Sequence, residues 1–420
     1  MDGTLTIAYI LEIHPTLSQT FIEREIAELI AQGMPVNVYS LLCTPLKMPS
    51  TAPGRLPPVD YFRWWEAFSL VVALPRELHR DRTLLRDGWQ MVRRHRPTGF
   101  VNSLINLWAA IFAICRAEQF RRKGVRHVHG AWAWGPATAA AILGRLCSVP
   151  FSFGAHAYDI YEHGGDRFLD AKLRAASFVH TTTKANVAYL RQRVPQANIV
   201  FARNGLEQLP SAKPHSRVPG PLRILSVARL VPKKGHRHQL AACALLKQWG
   251  VPFEVRIVGT GELYRKLQRQ IEALDLADVV KLCGGQPHAQ AQESFAWADI
   301  FWHTGIIDAK GNRDGLPNAI PEALAHRLPV ISSREPGATE AVTHEGTGLV
   351  VDVTNHEELA GAVKRLAEDE PLRQRLGENG RRWVEQNFIG SDNVAILAEA
   401  FRQTASTGIN VVTTTRSRGS

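Results

Sequence analysis

The chain lacks the cysteine pattern of a disulfide framework. Its five cysteines, Cys43, Cys115, Cys147, Cys243 and Cys283, are scattered, odd in number and without a CxxC pair, which fits a reducing cytoplasm. It has no GxxxxGK[ST] loop and no GxSxG elbow, so neither a P-loop nor an α/β-hydrolase nucleophile is expected. His127 and His129 share a strand face, and His236 and His238 surround a helix start. No carboxylate or cysteine is spaced to complete a first shell around either pair, so no metal is expected. Long apolar runs are missing too. The most apolar stretch, INLWAAIFAIC, is about half the length that a spanning helix needs. The start, MDGTLTIAYIL, has no basic segment and passes directly into a strand-like run, unlike a signal peptide. The expectation is a soluble or peripheral protein.

What is present is an ordinary globular composition, with 45% hydrophobic and 21% charged residues over 420 residues. That length exceeds the size at which single cores split, so two domains are expected. Fifty Lys and Arg against 39 Asp and Glu leave +11 and a pI near 9.6, which favours an anionic partner. Charge alone does not choose among nucleic acid, a phosphorylated substrate and an anionic membrane.

LTIAYIL reads as a buried parallel strand and PVNVYSL as the next, with TFIEREIAELIAQG between them as a helix. Thr20 and Glu23 have capping-box spacing, and Gly33 closes the helix. After a proline-rich loop, Pro45 to Pro58, residues 61–123 interleave Trp, Phe and Leu with arginine clusters at helical period. Such helices can lie on an anionic bilayer, or simply carry solvated arginines. No aromatic and basic alternation on strands supports a nucleic-acid platform.

An α/β alternation resumes with VRHVHG, GPATAAAILGRLC, PFSFGAH, FLDAKLRAAS, FVHTTT, KANVAYLRQRV and NIVFARNG. It restarts after a linker holding Pro210, Pro214, Pro219 and Pro221. LRILSVAR, FEVRIVG, VVKLCG, DIFWHT, LPVISS and GLVV are the strands of that second half. Both halves predict parallel sheets covered on two faces. The expected division is a domain over 1–206, a linker over 207–221, a second domain over 222–388, and a C-terminal helix and frayed tail over 389–420. The expected fold class is α/β: two doubly wound, Rossmann-like domains facing across a cleft, a preferred ligand location.

The stretch GNRDGLPNAIPEALAHRLPVISSREPGATEAV, Gly311 to Val342, carries Asp314 and Glu322 from a loop into a helix and then a buried strand. In open α/β sheets such loops feed a crevice at the strands' carboxyl ends. LSVARLVPKKGH places Arg229 after a strand and Lys233 and Lys234 before a helix, where cations and free N–H groups converge on an anion. RIVGTGELYRKL puts Gly259 and Gly261 where backbone can approach a ligand, or where a tight turn is needed. FGAHAYDI places His156 and Asp159 just past a strand end.

Taken in order, SQTFIEREI, VHGAWAWGPATAA, FSFGAHAYDI, RNGLE, VARLVPKKG, RIVGTGEL, DGLPNAIPEALAHRLPVISS and GTGLVV resemble the retaining family 4 glycosyltransferases of the GT-B fold. The resemblance covers nearly the whole chain and is closest to members that build surface polysaccharides. It implies a UDP-, GDP- or ADP-sugar held mainly by the second domain and a glycan or lipid-linked acceptor held mainly by the first. Arg229 and Lys234 would bind the donor diphosphate and Glu322 the ribose. Asp314 would contact the transferred sugar, and His156 would lie near its reacting face. Gly259, Gly315, Leu316 and Asn318 would contribute to the donor site, with no metal and no further cofactor.

Two positions depart from the family pattern. The usual glutamate is Asp314 here, and the usual glycine-rich first loop is EIHPTLSQT, where Ser18 supplies either a phosphate contact or a helix cap. The implied activity is retaining hexosyl transfer in surface-polysaccharide synthesis, by a cytoplasmic protein peripheral to the inner membrane face through residues 61–123. A non-catalytic sugar-nucleotide sensor, a membrane-surface scaffold and a nucleotide-sugar epimerase are the competing expectations.

Overall fold

A computed structural model describes residues 5–16, 20–43, 56–95, 99–210 and 220–407. The chain divides into two compact units, Met1–Gly205 with Gly390–Ser420, and Leu206–Ile389. Ser18 and most of the proline-rich linker lie outside the described residues.

The first unit begins β1 (Ile7–His14), α1 (Thr20–Ala31), β2 (Val36–Cys43) and β3 (Asp60–Tyr61), followed by α2 (Leu70–Arg80), α3 (Leu84–Arg94) and α4 (Phe100–Arg122). It continues with β4 (His127–Gly130), α5 (Gly135–Cys147), β5 (Phe151–Gly154), α6 (Tyr158–Tyr161), α7 (Leu169–Ala175), β6 (Phe178–Thr181), α8 (Lys184–Arg193) and β7 (Ile199–Phe201). The sheet order is β3-β2-β1-β4-β5-β6-β7, and every pairing is parallel. Successive side chains on a strand face opposite ways. Thus Ala8 and Ile10 of β1 join one core with α4 and α5, while Ile7, Tyr9 and Leu11 join another with α1. Burial on both faces is why β1 reads as a continuous apolar run.

The second unit contains β8 (Leu222–Val227), α9 (His236–Gln248), β9 (Phe253–Val258), α10 (Tyr264–Ala273), β10 (Val280–Gly284), α11 (His288–Trp297) and β11 (Ile300–His303). It ends with α12 (Ala319–Ala325), β12 (Val330–Ser333), β13 (Gly348–Val351), α13 (His356–Glu368) and α14 (Glu370–Asn387). Its sheet runs β10-β9-β8-β11-β12-β13, again all parallel. The last helix, α15 (Gly390–Thr407), belongs to the first unit. Its Leu397, Ala398 and Phe401 pack with Tyr9, Ile22 and Ile26.

The stretch INLWAAIFAIC lies in the middle of α4, which among the described residues is the one helix long and apolar enough to cross a membrane by length and composition. Its first turns add Phe100, Val101 and Leu104, and its arginine-rich last turns are held by ion pairs as well as by the burial of Ala117 and Phe120. Arg116 meets Asp60 at 3.0 Å and Glu66 at 2.7 Å, and Arg121 meets Glu77 at 2.6 Å. One face of α4 packs Ala109, Phe112, Ala113, Ala117 and Phe120 into the core.

Candidate functional site

In each sheet the strand order reverses direction at one place, between β1 and β4 in the first unit and between β8 and β11 in the second. Loops leaving the carboxyl ends on either side of such a point diverge and leave a crevice. Both reversals carry clusters of chemically active side chains.

In the second unit, the loop after β8 holds Arg229, Lys233 and Lys234, and the loop after β11 holds Asp314. Lys234 Nζ donates to Asp314 Oδ2 at 2.6 Å, and Lys233 Nζ lies 3.1 Å from Asp314 Oδ1. Lys233 also donates to Asn312 Oδ1 at 3.1 Å and to the Arg313 carbonyl at 3.3 Å. Lys233 is thus a buried strut binding one loop to the other. Lys234 shares only the carboxylate of that strut and is the more accessible of the two. Two backbone bonds reinforce the clamp, from Ile306 N to the Lys233 carbonyl at 2.8 Å and from Thr304 Oγ1 to the Lys234 carbonyl at 3.0 Å. Gly235 permits this approach: its φ is +65°, and a Cβ there would lie 1.9 Å from the Thr304 carbonyl oxygen.

The electrostatics follow from this packing. Burial would raise the Asp314 carboxyl, but the ammonium groups of Lys234 and Lys233 overrule it and hold Asp314 well below the usual carboxylate range. Burial lowers Lys234 from its ordinary value; Asp314 opposes that, while Lys233 and Arg229 add to it. The last residue of β11, His303, lies 3.9 Å from Asp314 through Nε2. Burial, then Lys234, push its imidazole down to about 3, so the ring is neutral near pH 7. An anion arriving here meets a preformed group of cations that share the carboxylate of Asp314.

The other expected donor-site residues fall into different classes. Arg229 is exposed and close enough to influence Lys234. Glu322 is half-buried in the first turn of α12, and Asn318 is the residue preceding that helix. The Leu316 side chain is buried in the core with Leu324, Ala338 and Val342. The reason for Gly259 changes. A Cβ there would lie 1.9 Å from the Ala228 carbonyl oxygen, so the close approach it allows is to the protein's own loop. Gly315 is similarly packed, with its backbone against Gly337.

Glu335, which sequence reasoning passed over, joins this group from the loop after β12. Burial raises its carboxyl, Arg313 opposes that and Asp314 adds to it. Its Oε2 has no hydrogen-bond partner among the described residues. His303 was findable from its position at a strand's carboxyl end, the feature that marked His156.

In the first unit, His156 lies just after β5 and is buried. Its ring meets Phe21, Trp132 and His180 edge-on, with centroids 5.6, 5.1 and 5.6 Å away. Nδ1 has no hydrogen-bond partner among the described residues. Burial, then His180, lower the imidazole to about 3, so it is neutral near pH 7. Asp159, also past the end of β5, is fully buried. Its carboxylate accepts from the N–H groups of Ala133 at 3.0 Å, Ala157 at 2.7 Å and His156 at 3.2 Å, which staples the loops after β4 and β5 together.

Around this staple stand Trp132, Trp134 and Tyr158. Tyr158 packs on both indoles at centroid distances of 5.0 and 5.2 Å. The indole N–H of each tryptophan has no acceptor among the described residues. Glu12, near the end of β1, is raised to about 7 by burial first and by Asp159 second, against a hydrogen bond from Tyr158. The signal for these residues was present in the WAW tripeptide between strand and helix and in the acid that opens EIHPTLSQT.

Glu12 gives a stability test with a defined sign. Its folded value lies above its ordinary 4.5, so the stability it contributes is complete below about pH 4.5 and is lost as the pH rises through about 7. Glu12→Gln should therefore raise the unfolding midpoint at pH 8 relative to the parent, by an amount on the order of 1–3 kcal/mol, and leave it unchanged at pH 4. Equal effects at both pH values would show that Glu12 is not buried as a neutral carboxyl.

The histidine pairs have structural partners. His127 Nε2 and His129 Nδ1 both meet Ser152 Oγ, at 2.7 and 2.8 Å. His236 meets Gln239 at 3.0 Å, and His238 meets His356 at 3.0 Å. Among the described residues no group of three or more His, Cys, Asp or Glu is placed to hold a metal ion.

Residues 210–383 match the family profile described as glycosyl transferases group 1. The amylovoran biosynthesis glycosyltransferase AmsK of Erwinia amylovora is 38% identical over 177 residues, 42% of this chain and 44% of that protein. That match thus spans less than half of the relative's length. The putative colanic acid biosynthesis glycosyltransferase WcaL of Escherichia coli is 26% identical across 94% of this chain and 99% of its own length. Among solved structures, Anabaena HepE in complex with UDP and glucose superposes with a TM-score of 0.68 at 17% identity, covering 95% of this chain and all of that one. The fold is therefore GT-B.

Proposed function

From the premise that residues 210–383 form a group 1 glycosyltransferase domain, we propose that this chain is a retaining, metal-independent hexosyltransferase of surface-polysaccharide synthesis. Its donor is a nucleoside diphosphate sugar and its acceptor a lipid-linked glycan. The observation that carries the reading is the cluster of Lys233, Lys234 and Asp314 at the strand reversal of the second unit. A diphosphate is the ligand that such a preformed cationic site stabilises most, and it needs most stabilisation when negative charge develops on departure. Glu322 accepts the ribose hydroxyls, and Asp314 reads the transferred sugar. Relatives named for amylovoran and colanic acid synthesis support the polysaccharide class, and a structural neighbour that holds UDP and glucose supports the donor class.

The acceptor sugar lies against Trp132, Trp134 and Tyr158 of the first unit, whose rings offer apolar faces and whose buried indole N–H groups lack an acceptor among the described residues. His156, neutral, hydrogen-bonds a hydroxyl of the transferred sugar. The acceptor oxygen bonds to the anomeric carbon on the face from which the nucleotide leaves. As the bond from that carbon to the phosphate oxygen breaks, the acceptor proton passes to the departing phosphate, and a nucleoside diphosphate is released. Residues 61–123 carry twelve Lys and Arg against five Asp and Glu, so most of the chain's excess positive charge lies there. We assign that segment to the anionic cytoplasmic face of the membrane.

A thermal-shift panel of UDP-, GDP- and ADP-sugars, with and without EDTA, tests the donor assignment. At a hundredfold excess over Kd, binding to the native state adds about 2.7 kcal/mol, or a rise on the order of 5–10 °C for a unit of this size. One base should give that rise and EDTA should not reduce it. No shift with any of the three at millimolar concentration would remove the donor assignment.

A further inference from the structure

The first unit contains a cavity of about 1050 Å³ beneath α3, walled by α4, α5 and α7. Leu85, Trp89 and Val92 of α3 line it together with Leu107, Ala141 and Ile142. α3 itself has no buried residue, although Leu85, Trp89 and Val92 form the one-sided stripe that normally seats a helix on a core. Polar tethers hold it instead. Arg145 of α5 reaches Asp81 at 2.6 Å, Thr83 at 2.6 Å and Asp87 at 3.0 Å, and Arg167 donates to the carbonyls of Val92 at 2.9 Å and His95 at 2.5 Å. A helix pinned at its two ends by arginines, with its apolar stripe over a hollow, is built to cover something apolar that is not part of the chain.

The surroundings of the cavity narrow the choice. Twelve of the 17 large exposed hydrophobic side chains among the described residues lie between Trp64 and Leu107, and four of them, Leu85, Trp89, Val92 and Leu107, line the cavity. The same elements present exposed arginines, Arg82, Arg86, Arg93 and Arg94. Apolar walls favour a hydrocarbon chain over a sugar or a nucleotide, and the arginines favour an anionic head over a neutral one. At the inner end, Lys172 sits in the wall, paired with Asp166 at 2.7 Å and donating to Thr138 at 3.1 Å and to the Trp134 carbonyl at 3.2 Å. That strut joins the cavity wall to the loop bearing Trp132 and Trp134.

We propose that this cavity binds the hydrocarbon chain of a lipid phosphate, with α3 as its cover and the arginines of α2 to α3 on the phosphate. In the enzyme this ligand is the lipid carrier of the acceptor, a role that rests on the hexosyltransferase reading; the binding itself does not.

The test uses the full chain, without donor, titrated with decyl, dodecyl and tetradecyl phosphate below their micelle concentrations. A cavity for the chain predicts affinity rising about fourfold per methylene until the hollow is filled. Ala141→Trp and Ala110→Phe, on different walls of the cavity, should weaken dodecyl phosphate at least tenfold while leaving binding to phosphatidylcholine–phosphatidylglycerol vesicles and the UDP-, GDP- or ADP-sugar thermal shift unchanged. Affinity independent of chain length, or loss of vesicle and alkyl phosphate binding in parallel, would overturn the proposal in favour of surface adsorption. Wild-type alkyl phosphate binding by both folded variants would overturn it outright. A failed donor panel with intact chain binding would instead count against the transfer reading alone.

Discussion

Lys234→Ala is expected to reduce glycosyl transfer by about 10²–10³ in kcat, the scale of removing a preorganised group that meets developing charge. The substitution removes an ammonium 2.6 Å from Asp314 but does not strand that carboxylate, because Lys233 remains 3.1 Å away. Breaking a buried pair is severe when a charge is left alone, and here it is not. The thermal midpoint should therefore stay within a few degrees of the parent. Glu322→Ala should act differently, because hydrogen bonds to ribose are made equally in ground and transition states. Its loss belongs in KM for the donor, about 10–100-fold for charged hydrogen bonds, with kcat little changed. Initial rates over a donor series separate the two: a parent-like kcat in Lys234→Ala, or a parent-like donor KM in Glu322→Ala, would sink the donor-site assignment.

The asymmetry between these residues mirrors what could be read from the chain itself. Buried parallel strands are short apolar runs bounded by turns, so LRILSVAR, FEVRIVG, DIFWHT and LPVISS were legible, and the predicted helix GPATAAAILGRLC coincides with α5. β3 was not, since two residues carry no period. The extent of α4 escaped because its last turns are held by Arg116 and Arg121 pairing with acids on other elements, and such partners leave no local pattern.

The same limit governs the site. The sequence put Lys234 and Asp314 each at a strand's carboxyl end. That they meet, and that Lys233 is a strut between loops, depends on a pairing 80 residues apart. Gly259 and Leu316 show what packing adds to a pattern. A glycine after a strand and a leucine inside a motif look like ligand contacts, yet Gly259 accommodates Ala228 and Leu316 fills the core. A pattern can locate a loop at the crevice, but only packing decides which side chains of that loop remain for the ligand.

Acid should unfold the first unit steeply below about pH 5, through its buried histidines. Burial lowers His127 and His156 to about 3 and His129 well below its ordinary 6.5. A group with a depressed folded value contributes stability that is present above the unfolded value and lost as the pH falls toward the folded one, here from about 6.5 toward 3. Each such ring adds a slope of about 1.4 kcal/mol per pH unit. His127 and His156 together cost on the order of 5–7 kcal/mol by pH 4, comparable with the whole stability of a domain, and His129 adds in the same direction. Glu12 and Asp159, both raised by burial, work in the opposite direction, but their gain ends near pH 4, the ordinary carboxylate range, and it offsets the loss most between pH 7 and 5. Urea midpoints measured from pH 7 to pH 4 should therefore be nearly flat at first and then fall by several kcal/mol. His127→Gln should remove about one ring's slope, since glutamine can still bond Ser152 and Thr404, the partners of His127 at 2.7 and 3.1 Å, without taking a proton. A profile that stays flat to pH 4, or one that His127→Gln leaves as steep as before, would mean that these rings are hydrated enough to protonate in place.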